Sequence, residues 1–461
     1  MFADLTSARA DVRDARSPAA GLIERAIGAA ASPPCERAFV ATGFAGARAA
    51  AVAADRAVAR GTDPGALAGL AVSIKDLFDV EGEVTAAGST VLADAPPAVA
   101  DAPAVARLRR AGAALIGRTN MTEFAFSGVG INPHHGTPLN AATLALDPRP
   151  RIPGGSTSGG ATSVAAGAAW AALGSDTGGS LRIPAALQGL VGFKGTARLV
   201  PTDGAVPLST TLDTVGAITL SVRDAIVLQE VLAGRPTVPA ARQLGTLRLA
   251  VPRTLVLDGL DDTVARAFER ALGRLASAGV TLEEITLPEL AEVAAINASG
   301  GFSAPESWAW HRRLLAEHGA DYDPRVAARI RRGAAMSAAD YIDLIAARRA
   351  WIRRMDAAMA GFDALLSPTV PMVAPLCQPL VDDDEAFFAT NGLLLRNPSV
   401  VNLLDGCALS LPCHVGGELP VGLMVWGGAL RDDDVLATAL AIEAVLAPVA
   451  GGHGHFHGHG H

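Results

Sequence analysis

Short apolar runs that suit buried strands alternate with helical patterns along this chain, and that alternation constrains the fold more than any other feature. The run from Leu70 to Ile74 reads as a buried strand that delivers Lys75 at its end. The stretch APAVARLRRAGAALIGRTNM then reads as a helix over Ala102 to Ala111, a stop at Gly112 and an extended segment from Ala113 to Gly117. Upstream, Ala19 to Ala30 and Ala41 to Arg60 carry apolar residues at three and four spacing among charged ones, the pattern of surface helices. Further on, LRLAVPR followed by a helical pattern over Asp262 to Ala278 repeats the unit. The expectation is an α/β fold: one large domain on a central, twisted, mixed and largely parallel sheet, with helices on both faces.

No internal repeat and no Ser/Gly linker divides the 461 residues. A single domain is expected over 1–450, with N-terminal helices in 1–65, a catalytic core in 66–220, a helical, substrate-shaping region in 221–400 and a C-terminal core in 401–450. Half of the chain is hydrophobic, yet only 4% is aromatic and 49 residues are Gly, so the core must be built from Ala, Val and Leu at close separation. Residues 128–160 are rich in Gly, Pro, Asn and His and read as loop, followed by a small-residue helix over Ala161 to Ala172 and a short strand ending near Gly174. The tail 451–461 reads as an unstructured His/Gly appendage or a purification handle, with weak affinity for nickel or zinc.

The formal net charge of -8 has the wrong sign for a general phosphate-backbone binder, so no nucleic-acid partner is expected. Cys35, Cys377, Cys407 and Cys413 form no CxxC pair and no disulfide framework, which argues against zinc and fits a reducing cytoplasm. The opening residues lack an apolar core of the signal-peptide kind. The charge-free stretch from Ile152 to Ser175 is long enough to cross a bilayer but is too rich in Gly, Ser and Thr, so no membrane span is expected.

Three segments combine a buried-strand context with reactive groups: Lys75 in SIKDLFDV, the loop from Pro153 to Gly160, and GSDTGGSLRIP from Gly174 to Pro184. Ser180 follows two glycines and Thr177, and consecutive N–H groups in such a turn converge on one negative oxygen beside a nucleophile. A serine needs a base, and no His occupies these segments; Lys75 is the remaining candidate. Holding a lysine neutral at pH 7 costs roughly 4–5 kcal/mol unless burial lowers its pKa from about 10.4. Asp76 and Asp79 would oppose that shift if they faced the amine.

SIKDLFDVEG, NMTEFA, PGGSTSGGATSVAAG, LGSDTGGSLRIPAALQGLVGFKGT, LLSPTVP and ALSLPCHVGGELPVGL resemble, in order and spacing, the amidase signature family. The resemblance implies a triad of a lysine, a serine following a cis peptide bond and a nucleophilic serine. Carried onto this chain, the lysine is Lys75 and the nucleophile Ser180. Anchoring on Pro153 and on the Val-Ala-Ala-Gly run ending at Gly167 assigns Ser156 as the middle serine, with Ser158 the competing candidate. The amides of Thr177, Gly178, Gly179 and Ser180 would hold the oxyanion. Asp176 and Arg182 would pair to brace the nucleophile loop, and Thr157 and Ser175 would hydrogen-bond around it.

Met121, Phe126 and Gly155 are expected to contact substrate, with Asn120, Glu123 and Phe124 walling the cavity and Trp308, Trp310 and Tyr341 shaping it. His134 and His135 are expected to stay outside the relay, which is complete without them. The implied activity is hydrolysis of a small amide, aryl amide or carbamate through an acyl-enzyme, with water as co-substrate and no metal or organic cofactor. A homodimer is a family-level expectation. Two alternatives stand beside it: the amidase-type subunit of a glutamine-dependent tRNA amidotransferase, and a non-catalytic scaffold.

Overall fold

The computed structural model describes residues 2–237 and 242–447, so the His-rich tail lies outside the described residues. Eleven strands form one sheet: β1 (Phe39–Thr42), β2 (Ala71–Lys75), β3 (Ala114–Thr119), β4 (Ala171–Asp176), β5 (Val191–Lys194), β6 (Thr214–Thr219), β7 (Arg248–Pro252), β8 (Thr281–Ile285), β9 (Ala364–Pro368), β10 (Cys407–Pro412) and β11 (Gly422–Gly427). Their order across the sheet is β1-β3-β2-β4-β6-β5-β10-β11-β9-β7-β8. The sheet is mixed, as expected. Its parallel pairs, β3 with β2, β2 with β4, β9 with β7 and β7 with β8, lie toward the two ends, where helices supply the crossovers. The centre, from β4 through β6, β5, β10 and β11 to β9, is antiparallel.

Alternation along the strands explains the two helical layers. In β11, Leu423 and Val425 join one hydrophobic cluster and Met424 and Trp426 another; in β9, Ala364 and Leu366 part in the same way from Leu365. The first cluster packs under the helices Asp262–Ser277 and Asp432–Leu446, the second under Ala338–Met359 and Pro398–Leu403. Both faces of the sheet are therefore covered, and strands such as β11 are buried throughout.

Two helices differ from the sequence expectation by three residues or more at an end. The helix expected from Ala41 starts at Phe44, because residues 39–42 are taken up as an edge strand paired with β3. The helix expected over Ala161 to Ala172 runs Ser158–Ala165, and Ala171 and Ala172 belong to β4. Gly167, at φ 82°, turns the chain there, and a run of small residues carries no periodicity that would have marked the change. The charge-free stretch 152–175 is thus divided between a short helix and a strand. No described helix is long and apolar enough to cross a membrane.

Candidate active site

Parallel pairing of β2 with β4 sets Ile74 against Leu173, so the C-terminal ends of the two strands bring Lys75 beside Ser175. The Lys75 side chain is fully buried. Its Nζ lies 2.7 Å from Ser156 Oγ, 2.9 Å from Thr157 Oγ1, 2.9 Å from Ser175 Oγ and 3.4 Å from the Ser175 carbonyl. Every one of these partners is neutral. Burial lowers the Lys75 pKa to about 7 against the opposing charges of Asp176 and Asp213. Asp76 and Asp79 do not face the amine: Asp76 pairs with Arg118 at 2.8 Å, and Asp79 accepts from Thr85 Oγ1 at 2.7 Å.

Ser156 is joined to Gly155 by a cis peptide bond. The Gly155 N–H donates to the Gly128 carbonyl at 2.8 Å, and a Cβ at 155 would sit 2.8 Å from Gly130 N and from Thr122 Oγ1, so only glycine fits. Ser158, the competing serine, starts the next helix and turns its hydroxyl to the Asn120 carbonyl at 3.3 Å. Of the two, Ser156 is the one in contact with Lys75. The Thr157 N–H reaches the Ser180 carbonyl at 3.3 Å, which ties the two serine loops together.

Ser180, 4% exposed, lies in the turn between β4 and the helix Arg182–Leu187. Asp176 organises this turn. Its carboxylate takes Arg182 Nη2 and Nε at 2.9 and 3.0 Å, Asn402 Nδ2 at 2.9 Å, and the amides of Gly179 and Leu181 at 2.9 and 3.1 Å. Burial alone would raise the Asp176 pKa, but Arg182 and Asn402 outweigh it and bring it to about 2. Arg182 is also held by the Pro398 carbonyl at 2.9 Å and Asn402 Oδ1 at 2.7 Å.

One expectation for the oxyanion amides needs correction: the Gly179 N–H is already spent on Asp176. A fully buried carboxylate requires donors, and this amide is among the nearest. The amides of Thr177, Gly178 and Ser180 remain as candidates. Gly179 itself is at φ 136°, and a Cβ there would meet Ile183 Cδ1 and Pro398 Cβ at 2.7 Å.

A cavity of about 190 Å³ opens beside the site, its walls including Ala125, Ser175, Thr177, Leu208 and Asp213. Asp213 accepts from Thr177 Oγ1 at 2.6 Å and from the Ser209 and Leu208 amides at 3.0 Å, and burial raises its pKa to about 6. Sequence reading missed Asp213 and Asn402, which contact Thr177 and Asp176 of the loop leading to Ser180 over long separations.

Met121, Phe126 and Gly155 are not among the residues lining this cavity. Met121 is fully buried, and its Cγ would lie 2.9 Å from a Cβ on Gly88, while Phe126 lies under the Arg329 guanidinium. Asn120 donates to the Arg37 and Gly136 carbonyls, so it braces loops. Glu123 is in contact with Ser89 Oγ, His134 Nε2 and the Asp323 amide, each at 2.7 Å, which holds His134 away from the lysine. His135 is tied through its amide to Asn132. Phe124 stacks in an aromatic group with Trp310, His311 and Tyr322, Tyr341 donates to Glu306 at 2.5 Å, and Trp308 packs against the core around β2 and β3. Neither Phe124 nor Trp308, Trp310 or Tyr341 lines the cavity. The cysteines are free, and burial pushes the Cys35 thiol up to about 11 and Cys413 to about 12. Among the described residues no group of His, Cys, Asp and Glu is arranged to hold a metal ion.

The Amidase family model matches residues 22–436. The chain is 37% identical over 420 residues to a 2-amino-5-chloromuconic acid deaminase of Comamonas testosteroni, covering 89% of this chain and 87% of that protein. It is 34% identical over 420 residues to a subunit of the glutamyl-tRNA(Gln) amidotransferase of Symbiobacterium thermophilum, with 83% and 84% covered. A crystal structure of an amidase superposes with a TM-score of 0.86 at 35% identity, covering 96% of this chain and all of that one. With a family match over nearly its whole length and relatives of this identity, the chain belongs to the amidase family, carbon–nitrogen hydrolases that act on amides.

Proposed function

We propose that the protein hydrolyses a small carboxamide, aryl amide or carbamate through a Lys75–Ser156–Ser180 relay, with the acyl group held covalently on Ser180. Neutral Lys75 draws a proton from Ser156, Ser156 draws one from Ser180, and Ser180 attacks the carbonyl. The amides of Thr177, Gly178 and Ser180 stabilise the oxyanion as it forms. Ser156 then passes its proton to the leaving amine, and water releases the acyl group by the same steps in reverse. The relay as written uses no metal and no organic cofactor.

The observation that carries this reading is the contact between Lys75 and Ser156 at 2.7 Å, made by an amine whose burial lowers its pKa to about 7. A general base is most effective when its pKa lies near the working pH. The partners around Nζ support the neutral form, since hydroxyls can donate as well as accept and none carries charge.

The test is mass spectrometry of the intact protein after exposure to a panel of amides, esters and carbamates. An adduct of the acyl mass on Ser180, absent from Ser180→Ala, is expected. Turnover that survives in Ser180→Ala without any adduct would remove Ser180 from the mechanism. The amidotransferase relatives supply the second reading, and glutaminase activity that depends on a copurifying partner is the outcome that would favour it.

A further inference from the structure

One stretch of chain, from the helix Asp384–Arg396 into Pro398–Leu403, reaches both serine loops. Its later part holds the Ser180 loop: the Pro398 carbonyl and Asn402 Oδ1 accept from Arg182, and Asn402 Nδ2 donates to Asp176. Its earlier part holds the other loop through Asn391, which is 3% exposed and accepts the Gly128 N–H at 2.8 Å across 263 residues of chain. The Gly128 carbonyl in turn accepts the Gly155 N–H at 2.8 Å, and Gly155 is bonded to Ser156. Leu395, one helical turn after Asn391 on the same face, meets a backbone of each loop. Its Cδ2 would lie 3.5 Å from a Cβ on Gly128 and 3.4 Å from one on Gly178.

An asparagine is not what packing alone would place here. The buried residues of this helix are Phe387, Asn391 and Leu394, so Asn391 interrupts an apolar face, and asparagine is also a weak helix former. An apolar side chain would bury more hydrocarbon but would leave the Gly128 N–H without its acceptor. Gly128 is itself buried, between Ile183, Leu395 and Asn391, so that N–H would be desolvated and unpaired unless the loop moved. Loss of the Asn391 acceptor therefore acts on the carbonyl that anchors Gly155, and through it on Ser156.

We infer that Asn391 is a positioning residue for the reaction: by fixing Gly128 it sets the Ser156 loop against the Ser180 loop. The inference rests on the hydrolase reading above and adds to it a residue that acts through Gly128 and Gly155 and takes no part in proton transfer. In that reading the scissile C–N bond breaks as the Ser156 hydroxyl gives its proton to the departing nitrogen, so amides depend on the placement of Ser156 at this step. A nitrophenyl ester depends on it less, because nitrophenolate leaves as a stable anion.

The experiment measures kcat and KM on the 4-nitroanilide and the 4-nitrophenyl ester of the acyl group most readily transferred to Ser180 in the panel above. The proteins are the intact enzyme, Asn391→Leu and Asn391→Asp, with Ser180→Ala as the blank. Asn391→Leu, close in size but without an acceptor, is expected to lower kcat on the anilide about 30–100-fold, with KM changed less than about 3-fold and the ester rate less than about 5-fold. Asn391→Asp keeps an acceptor and should recover much of the anilide rate. Equal losses on anilide and ester, a loss confined to KM, or an Asp variant no better than the Leu variant would overturn the assignment. If Asn391→Leu does not fold, Leu395→Ala tests the same link between the loops, and a loss no greater on the anilide than on the ester counts against it. Hydrogen exchange supplies a readout that needs no turnover: the Gly128 and Gly155 amides should exchange at least about 10-fold faster in Asn391→Leu, and unchanged exchange overturns the assignment. Turnover with equal losses and unchanged exchange removes Asn391 and leaves the hydrolase reading standing. A panel with neither turnover nor adduct removes the hydrolase reading, and the exchange rates alone then decide whether Asn391 sets the loop.

Discussion

Lys75 and Asp213 approach the loop leading to Ser180 from neighbouring positions without touching: the lysine holds Ser175 Oγ at 2.9 Å, and the carboxylate holds Thr177 Oγ1 at 2.6 Å. Asp176 also acts on the lysine, but its charge is matched by Arg182 at 2.9 Å. Asp213 is paired with no cation among the described residues, and Glu306 on the far side of its loop adds a second negative charge. The protonation of Lys75 therefore depends on a carboxylate that it does not touch.

For Asp213→Asn this gives a signed expectation. Asp213 favours the charged form of Lys75, so its neutralisation should make the amine easier to deprotonate and move the acid limb of kcat/KM to lower pH. The plateau rate should fall at the same time, because an amide cannot satisfy Thr177 Oγ1 and the Ser209 and Leu208 amides as the carboxylate does. A pH–rate profile of the variant checks both; an acid limb that moves to higher pH would contradict the electrostatic argument.

In the unaltered protein, kcat/KM should rise with pH through about 7 as Lys75 loses its proton. A rate that stays flat well below pH 6 on a simple anilide would point to another base.

The same lysine limits stability. Its folded pKa of about 7 lies below the ordinary 10.5, so between those values the unfolded chain binds more protons than the folded one. Stability from this group should rise with pH across that window, and below about 7 the full burial penalty, about 4–5 kcal/mol, is present. Lys75→Met should lose activity yet gain about 1–3 kcal/mol of stability near pH 7, measured by denaturant unfolding. A clear loss of stability would show that the hydroxyls around Nζ depend on the amine more than the amine costs.

The serine loop makes a separate, rankable prediction. Ser156→Ala should lower kcat by several orders of magnitude, because it removes the hydroxyl 2.7 Å from Lys75, whereas Ser158→Ala should be mild because that hydroxyl only meets the Asn120 carbonyl at 3.3 Å. Steady-state kinetics on one substrate suffices, and the reverse order would shift the relay to Ser158.

Asp176→Asn should destabilise the protein by about 3–5 kcal/mol, since it leaves the fully buried Arg182 without its counter-ion. Thermal unfolding checks this, and a variant as stable as the parent would mean that Asn402 and the Pro398 carbonyl satisfy Arg182 by themselves.

Much of this was legible in the chain. Lys75 could be placed at the end of a buried strand from the run before it, and the serine loops could be found from their glycines and spacing. Asp213 and Asn402 could not, because their importance comes from contacts 36 and 226 residues distant in the chain, at Thr177 and Asp176. The Gly179 amide was misread for a related reason: a glycine signals close approach without saying which way its N–H points.

The clasp on Arg182 has a bearing on when its loop can order during synthesis. Its acceptors, Pro398 and Asn402, emerge from the ribosome more than two hundred residues after the nucleophile loop. A growing chain therefore carries the loop around Ser180 long before the residues that clasp it are made, and its ordered form is expected only once Asn402 is available to pack.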